Sequence, residues 1–417
     1  MSCRTIDGIY EEEPEAEVTV ELRPFKHQVG GHTCVLEVGC GVICKPLIDR
    51  EQKFYTSAPE SLRSFIPRYF GETCVTCDIT QSRKCLVAKV PRELVSPGEI
   101  NERCASGFDE FIATKRRKMH RSSENEAPTL AAWSNSCIER QITRYGFWAN
   151  NQPQKFIMLE NLVKDYKRPC LMDLKMGKRQ FGSDSDAEKR KLLESRCASS
   201  TSATLGFRIC GSQSYQKTSD AYTFHDKYHG RSLNDAGAIE ELRLFFHNGA
   251  ELRTDIILAL FTKLTELEKA LLKEKDLDLH SASLLLIYEG MPATDDLPGA
   301  GSENDAHASG ATSSAKVPSR KHRKDIEQVE ATDRSCSDSD LGTHLDTLKS
   351  QQKNDSSQKP DTDFEPDSSE CKVDVRLIDF AHASESLQKS CENPIVFGLK
   401  SIQVILRDLV SQHSITK

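Results

Sequence analysis

The stretch Pro169-Cys170-Leu171-Met172-Asp173-Leu174-Lys175-Met176-Gly177 sets the reading of this 417-residue chain. Apolar residues surround Asp173 and Lys175, and a strand's period of two puts those two side chains on one face. A carboxylate beside an ammonium, followed by Gly177, Lys178 and Arg179, suits a site that holds phosphates. Taken alone, the plainer reading is a surface salt bridge beside a turn. Any further weight has to come from the rest of the chain.

Three other segments add to it, each weak by itself. Val42-Ile43-Cys44-Lys45-Pro46 ends an apolar strand on a lysine, the place of the protein-kinase lysine that pairs the nucleotide phosphates. Phe156-Ile157-Met158-Leu159-Glu160-Asn161-Leu162 runs from an apolar strand into a polar connector, as an adenine-binding hinge requires. Arg376-Leu377-Ile378-Asp379-Phe380 ends a strand on an aspartate, where a kinase Asp-Phe-Gly aspartate holds Mg²⁺. Lysine strand, hinge, Asp-x-Lys and Asp-Phe follow one another in that order. The chain has no G-x-G-x-x-G, H-R-D-L or A-P-E, and no phosphate-loop G-x-x-x-x-G-K-[ST].

Composition bounds the partners and the folded length. Net charge is −7 with 37% hydrophobic residues, which argues against a general polyanion binder, so nucleic acid is not an expected partner. No run of 18 apolar residues is present, so no membrane span is expected. Without a signal-peptide pattern, the 15 cysteines read as reduced thiols of a cytoplasmic or nuclear protein. Residues 291–370 hold one aromatic, Phe364, with 9 Lys/Arg against 17 Asp/Glu, a net of −8 that leaves the remainder at +1. Such a segment cannot bury enough apolar surface to offset its ordering entropy and is expected to be disordered. A smaller polar stretch over about residues 101–135 is expected to be a disordered loop, with a basic run at 115–121.

The rest divides by pattern. Residues 33–38 with 41–45, and 73–79 with 84–89, read as antiparallel strand pairs, with 51–57 a helix and 155–160 another strand. Residues 235–247 and 254–275 read as helices, the first capped by Asn234 and the second striped by Ile257, Leu260, Leu264, Leu267 and Leu271. Residues 283–288 and 373–380 read as strands brought together across the acidic segment, because closure entropy grows only logarithmically with loop length.

Pro169, Asp173, Lys175 and Gly177 match the P-x-x-x-D-x-K-x-G signature of the inositol polyphosphate kinase family. Residues 22–32, 44–48, 50–55, 200–211, 283–290 and 373–382 resemble that family's inositol hexakisphosphate kinase branch, in order. The resemblance implies an α+β, two-lobed kinase-like fold. Its antiparallel β N-lobe would span residues 1–160 and its mixed C-lobe 161–417. It implies ATP and Mg²⁺ as cofactors and an inositol phosphate as substrate. Matched by motif, Lys45 holds ATP phosphates, Glu160 and Leu162 border the adenine, and Asp173 contacts the nucleotide. Asp379 holds the metal, Asp173 and Lys175 form the catalytic pair, and Lys175, Lys178 and Arg179 meet the substrate's phosphates. Lys178 stands where the branch has a smaller residue, and residues 393–401 depart from its pattern; both bear on substrate preference.

The implied activity is phosphorylation of inositol hexakisphosphate, and of the pentakisphosphate, to diphosphoinositol phosphates. One alternative is an inositol trisphosphate or multi-substrate kinase. Another is an inactive inositol-phosphate-binding scaffold that recruits protein partners through its acidic segment. Keeping Lys45, Asp173, Lys175 and Asp379 together argues against the scaffold, which has no electrostatic need of all four.

Overall fold

The computed structural model describes residues 17–31, 33–39, 41–80, 83–96, 130–146, 152–182, 185–274, 277–291, 371–385 and 393–416. The described residues all belong to one compact unit. Nearly all of the acidic segment, and residues 101–129 of the shorter polar stretch, lie outside the described residues.

Alternating sequence makes the first sheet. Its strands are β1 (Glu17–Glu21), β2 (Arg23–Pro24), β3 (Leu36–Gly39) and β4 (Val42–Pro46), then β5 (Tyr69–Thr80), β6 (Arg83–Pro91) and β7 (Gln154–Glu160). Between them lie helices α1 (Asp49–Ser57) and α2 (Leu130–Tyr145). The order is β1-β6-β5-β7-β4-β3-β2, and every pairing is antiparallel. Strand β7 lies inside the sheet and is apolar on both faces. Phe156 and Met158 pack with Leu36, Val75 and Leu86, while Ile157 and Leu159 join the core of the following half.

The loop expected over residues 101–135 ends earlier than composition suggests. Helix α2 begins at Leu130 and buries Trp133, Cys137 and Ile138 on one face, with the Ser134 hydroxyl donating to Phe25 O at 3.1 Å. A compositional window averages over the start of an amphipathic helix, whose apolar residues are only one in three or four.

The second sheet begins with β8 (Pro169–Met176), followed by α3 (Ala187–Ala198), β9 (Phe207–Gln216), β10 (Ala221–His225), α4 (Lys227–Ser232), α5 (Asp235–Phe245) and α6 (Thr254–Lys273). Then come β11 (Leu277–Leu279), β12 (Ser283–Glu289), β13 (Val373–Ile378), β14 (Ala383–Glu385) and α7 (Pro394–Thr416). The five-stranded order is β10-β9-β8-β12-β13, which puts the Asp-x-Lys strand at its centre. Asn234 caps α5 as its sequence suggests, accepting from Gly237 N at 2.8 Å. All five stripe residues of α6 are buried. Full burial of one such side chain is worth about 1.5–3 kcal/mol.

Strands β12 and β13 pair from Ser283↔Ile378 to Tyr288↔Val373, and Glu289 N donates to Lys372 O at 3.0 Å. The strands that flank the acidic segment are therefore held side by side by main-chain bonds. Deleting residues 295–365 is expected to leave melting temperature and turnover nearly unchanged, since no proposed ligand-binding residue is removed. Loss of cooperative unfolding in the shortened protein would show that the segment supports the fold.

Candidate active site

Strand alternation buries Val42, Cys44 and Pro46 of β4 on one side and turns Lys45 to the other. Lys45 Nζ lies 3.0 Å from Glu51 Oε1 and 2.9 Å from Asp379 Oδ1. Glu51 sits in the first turn of α1 and is fully buried. The same Oε1 accepts from Phe380 N at 3.2 Å, whereas Oε2 has no hydrogen-bond partner. Burial disfavours the Lys45 ammonium, but Asp379 and Glu51 outweigh it and hold its pKa above the ordinary lysine value.

Asp379 follows the end of β13 with φ of +64°, a left-handed conformation in which aspartate and asparagine are the least strained side chains after glycine. The next residue fixes it there. Phe380 is fully buried, and its ring stacks on Phe54 of α1 with centroids 4.0 Å apart. The Asp-Phe pair thus anchors on the helix that supplies Glu51.

Asp173 lies opposite Gly211 of β9 and Leu285 of β12, and Lys175 opposite Arg208 and Ser283. Burial pushes the Asp173 carboxyl up from 3.8 to about 6, and the negative charge of Asp379 adds to this; Lys175, Ser283 and Arg208 oppose it. Its Oδ1 is buried without a hydrogen-bond partner. The loop after β2 closes over it at Gly30, where a Cβ would sit 1.9 Å from Asp173 Oδ2. Gln28 holds that loop in shape, donating to Gly30 O at 3.2 Å and Thr33 O at 2.6 Å while accepting from Val35 N at 3.2 Å.

The raised Asp173 carboxyl has a consequence for stability. The native state holds this proton more tightly than the unfolded chain does, so ionising Asp173 opposes folding. That cost is absent below the ordinary carboxylate value, appears as pH rises, and is complete above about 6. Asp173→Asn in protein free of metal and nucleotide is expected to gain on the order of 1–3 kcal/mol near pH 8 and little near pH 4. Denaturant unfolding at the two pH values checks this; equal stability of variant and wild type near pH 8 would refute it.

Around these residues the cleft has two compartments. The first is apolar, walled by Phe25, Val35, Ile43, Leu159, Leu171 and Leu285, with Glu160 and Leu162 also on its lining. The second is polar and gathers Lys175, Arg208, Lys227, Arg231 and His382. Gly31, Thr33, Lys45, Asp173 and Asp379 line both, so the carboxylates and Lys45 stand at the seam. Lys227 and Arg231 share one face of α4 by their four-residue spacing.

A family model described as inositol polyphosphate kinase matches residues 156–407. Human inositol hexakisphosphate kinase 2 is 35% identical over 328 residues, covering 67% of this chain and 77% of that protein. Human inositol hexakisphosphate kinase 1 is 30% identical over 448 residues, covering 94% of this chain and 95% of that protein. The chain belongs to the inositol polyphosphate kinase family. A crystal structure of inositol phosphate multikinase from S. cerevisiae, in complex with ADP and Mn²⁺, overlaps with a TM-score of 0.46 at 18% identity, covering 89% of this chain and 99% of that one.

Within this inositol polyphosphate kinase, the structure brings Lys45, Asp173, Lys175 and Asp379 together and lines the apolar compartment with Glu160 and Leu162. Lys178 and Arg179 are placed elsewhere. Neither lines either compartment. Gly177 adopts φ of +92° and turns the chain, so that Lys178 Nζ rests 3.7 Å from the Phe397 ring centroid and Arg179 Nη2 lies 2.5 Å from Asp278 Oδ2. The cations of the polar compartment are instead Arg208, Lys227 and Arg231 beside Lys175, with His382. Sequence reading also passed over Glu51, the buried partner of Lys45.

Proposed function

We propose that this kinase transfers the γ-phosphoryl group of ATP to inositol hexakisphosphate, and to the pentakisphosphate, forming diphosphoinositol phosphates. One observation carries the reading: an apolar compartment and a compartment with four lysine or arginine side chains besides Lys45 meet at Lys45, Asp173 and Asp379. An adenine fits the first, and a substrate carrying many phosphates fits the second. The names of the relatives support the choice of inositol hexakisphosphate.

The residues divide the work by charge. Glu160 spends its carboxylate on Arg68 N and Arg376, at 3.2 and 3.5 Å, so an adenine edge would meet its main chain beside Leu162. Lys45 would keep buried Glu51 and take ATP phosphates in place of Asp379. Lys175, at the end of the central strand, would offset charge on the group in transfer, and Arg208, Lys227 and Arg231 would hold the acceptor against anion repulsion. The donor set fits a hard divalent cation: Asp379 lies at the seam, and Asp173 keeps a buried carboxylate oxygen without a hydrogen bond. Asp379, with Asp173 beside it, would hold Mg²⁺, which when bound neutralises charge on the nucleotide phosphates. A phosphate acceptor is already a nucleophile, so cations matter more here than a strong general base.

The test is incubation with ATP, Mg²⁺ and a panel of inositol phosphates, with products separated by charge. A product more anionic than inositol hexakisphosphate is expected. Turnover confined to inositol trisphosphates would replace the reading with that of a kinase for less phosphorylated inositols.

A further inference from the structure

Helix α4, which carries Lys227 and Arg231 into the polar compartment, also carries His229. His229 Nε2 lies 3.0 Å from Glu241 Oε2, and His225 Nδ1 lies 2.5 Å from Glu241 Oε1. The three residues come from three elements: the end of β10, helix α4 and the middle of α5. One donor atom from each lies within 4.8 Å of the other two.

Glu241 sets the chemistry. Its side chain is only 6% exposed, while those of His225 and His229 are 31% and 37% exposed. Among the described residues its hydrogen-bond partners are the two imidazoles and the Ser212 hydroxyl at 3.1 Å, with no lysine or arginine. A buried ionised carboxylate needs a positive charge as well as hydrogen bonds. The two imidazole rings stack with centroids 4.1 Å apart, and each turns a nitrogen to a different oxygen of Glu241, so three lone-pair donors converge on one small volume. A divalent cation would take one lone pair from each ring and one from the carboxylate, and would supply positive charge beside this buried group.

We infer that His225, His229 and Glu241 form a binding site for a divalent transition-metal ion, zinc by the preference of imidazole and carboxylate donors. Two His and one Glu constitute a three-ligand zinc set that leaves a fourth position to water. Ligands about 2.1 Å from a tetrahedral ion sit roughly 3.4 Å apart, a spacing this cluster reaches by rotamer-scale adjustment. The half-exposed histidines give the ion an entry path, and Ser212 orients the carboxylate from behind. The ion would clip β10, α4 and α5 together and so brace the helix that presents Lys227 and Arg231. The site is separate from Asp379 and Asp173. Nor does it involve Cys74 and Cys77, one exposed and the other buried on β5.

The test titrates Co²⁺ into metal-stripped full-length protein in buffer with excess Mg²⁺, and then displaces it with Zn²⁺. The expected result is one tight site with the visible absorption of four-coordinate nitrogen and oxygen ligands and no thiolate charge-transfer band. Glu241→Gln and His229→Asn are each expected to weaken that site by at least about 100-fold, the upper end of what outer-shell partners contribute. Zn²⁺ should raise the melting temperature of the wild type and of neither variant. His229 is half-exposed, so its variant stays informative if Glu241→Gln folds poorly. Unchanged Co²⁺ binding in folded His229→Asn, a thiolate spectrum, or a wild type indifferent to Zn²⁺ would each overturn the inference and leave a hydrogen-bonded His–Glu–His cluster.

Discussion

Asp379→Asn is expected to fold like the wild type and to lose about 10²–10³-fold in turnover, the effect of removing one preorganised electrostatic contact. The folding half of the expectation rests on conformation. Asparagine tolerates the left-handed backbone of this position as aspartate does, and Phe380 still anchors on Phe54. What disappears is one of the two carboxylates at the seam of the two compartments. ATP affinity should therefore lose much of its dependence on Mg²⁺. Lys175→Ala supplies the contrast: it removes a cation of the polar compartment only, so ATP–Mg²⁺ binding should stay near normal while the chemical step slows. Melting temperature, ATP binding at varied Mg²⁺ and single-turnover rate, measured on both variants, separate the two roles. Normal turnover in folded Asp379→Asn would sink the metal-ligand assignment.

What could be read from the sequence was what depends on short-range period. Asp173 and Lys175 share a face because strands alternate, and the paired strands β3–β4, β5–β6 and β12–β13 follow from apolar runs broken by turns. Glu17-Val18-Thr19-Val20-Glu21 alternates just as clearly and pairs along β6, so β1 was there to be found. The same holds for α7: Asn393 accepts from Ile395 N at 3.1 Å and Pro394 opens the helix, a legible cap.

The cations of the polar compartment were hidden for a different reason. Lys178 and Arg179 follow the signature directly, and adjacency in sequence suggested adjacency in space; one positive-φ glycine redirects them. Arg208 reaches Lys175 through strand register, and Lys227 and Arg231 arrive on a helix more than fifty positions after Asp173. Glu51 lies among Asp49, Arg50, Gln52 and Lys53, a composition that reads as a solvated helix surface. Its burial appears only once Lys45, Phe380 and the rest of the cleft close over it.

That burial makes Lys45→Met the substitution with the largest expected effect on stability, a loss of about 3–5 kcal/mol, typical of removing one partner of a buried ion pair. Glu51 is wholly inaccessible, and its Oε2 already lacks a partner; without Lys45, only the Phe380 N–H would remain of its observed contacts. The cost belongs to the stranded carboxylate rather than to lost attraction, so it should be recoverable. Adding Glu51→Gln to Lys45→Met removes the stranded charge and should restore part of the stability, giving a coupling of roughly 0.5–3 kcal/mol in a double-mutant cycle. Turnover should not recover with it, because the lysine that would hold ATP phosphates is still missing. Urea unfolding of the four proteins together with their single-turnover rates distinguishes the two roles of one residue. A double variant that regains turnover as well as stability would mean that Lys45 acts only by satisfying Glu51, and the phosphate contact would have to pass to another cation of the cleft.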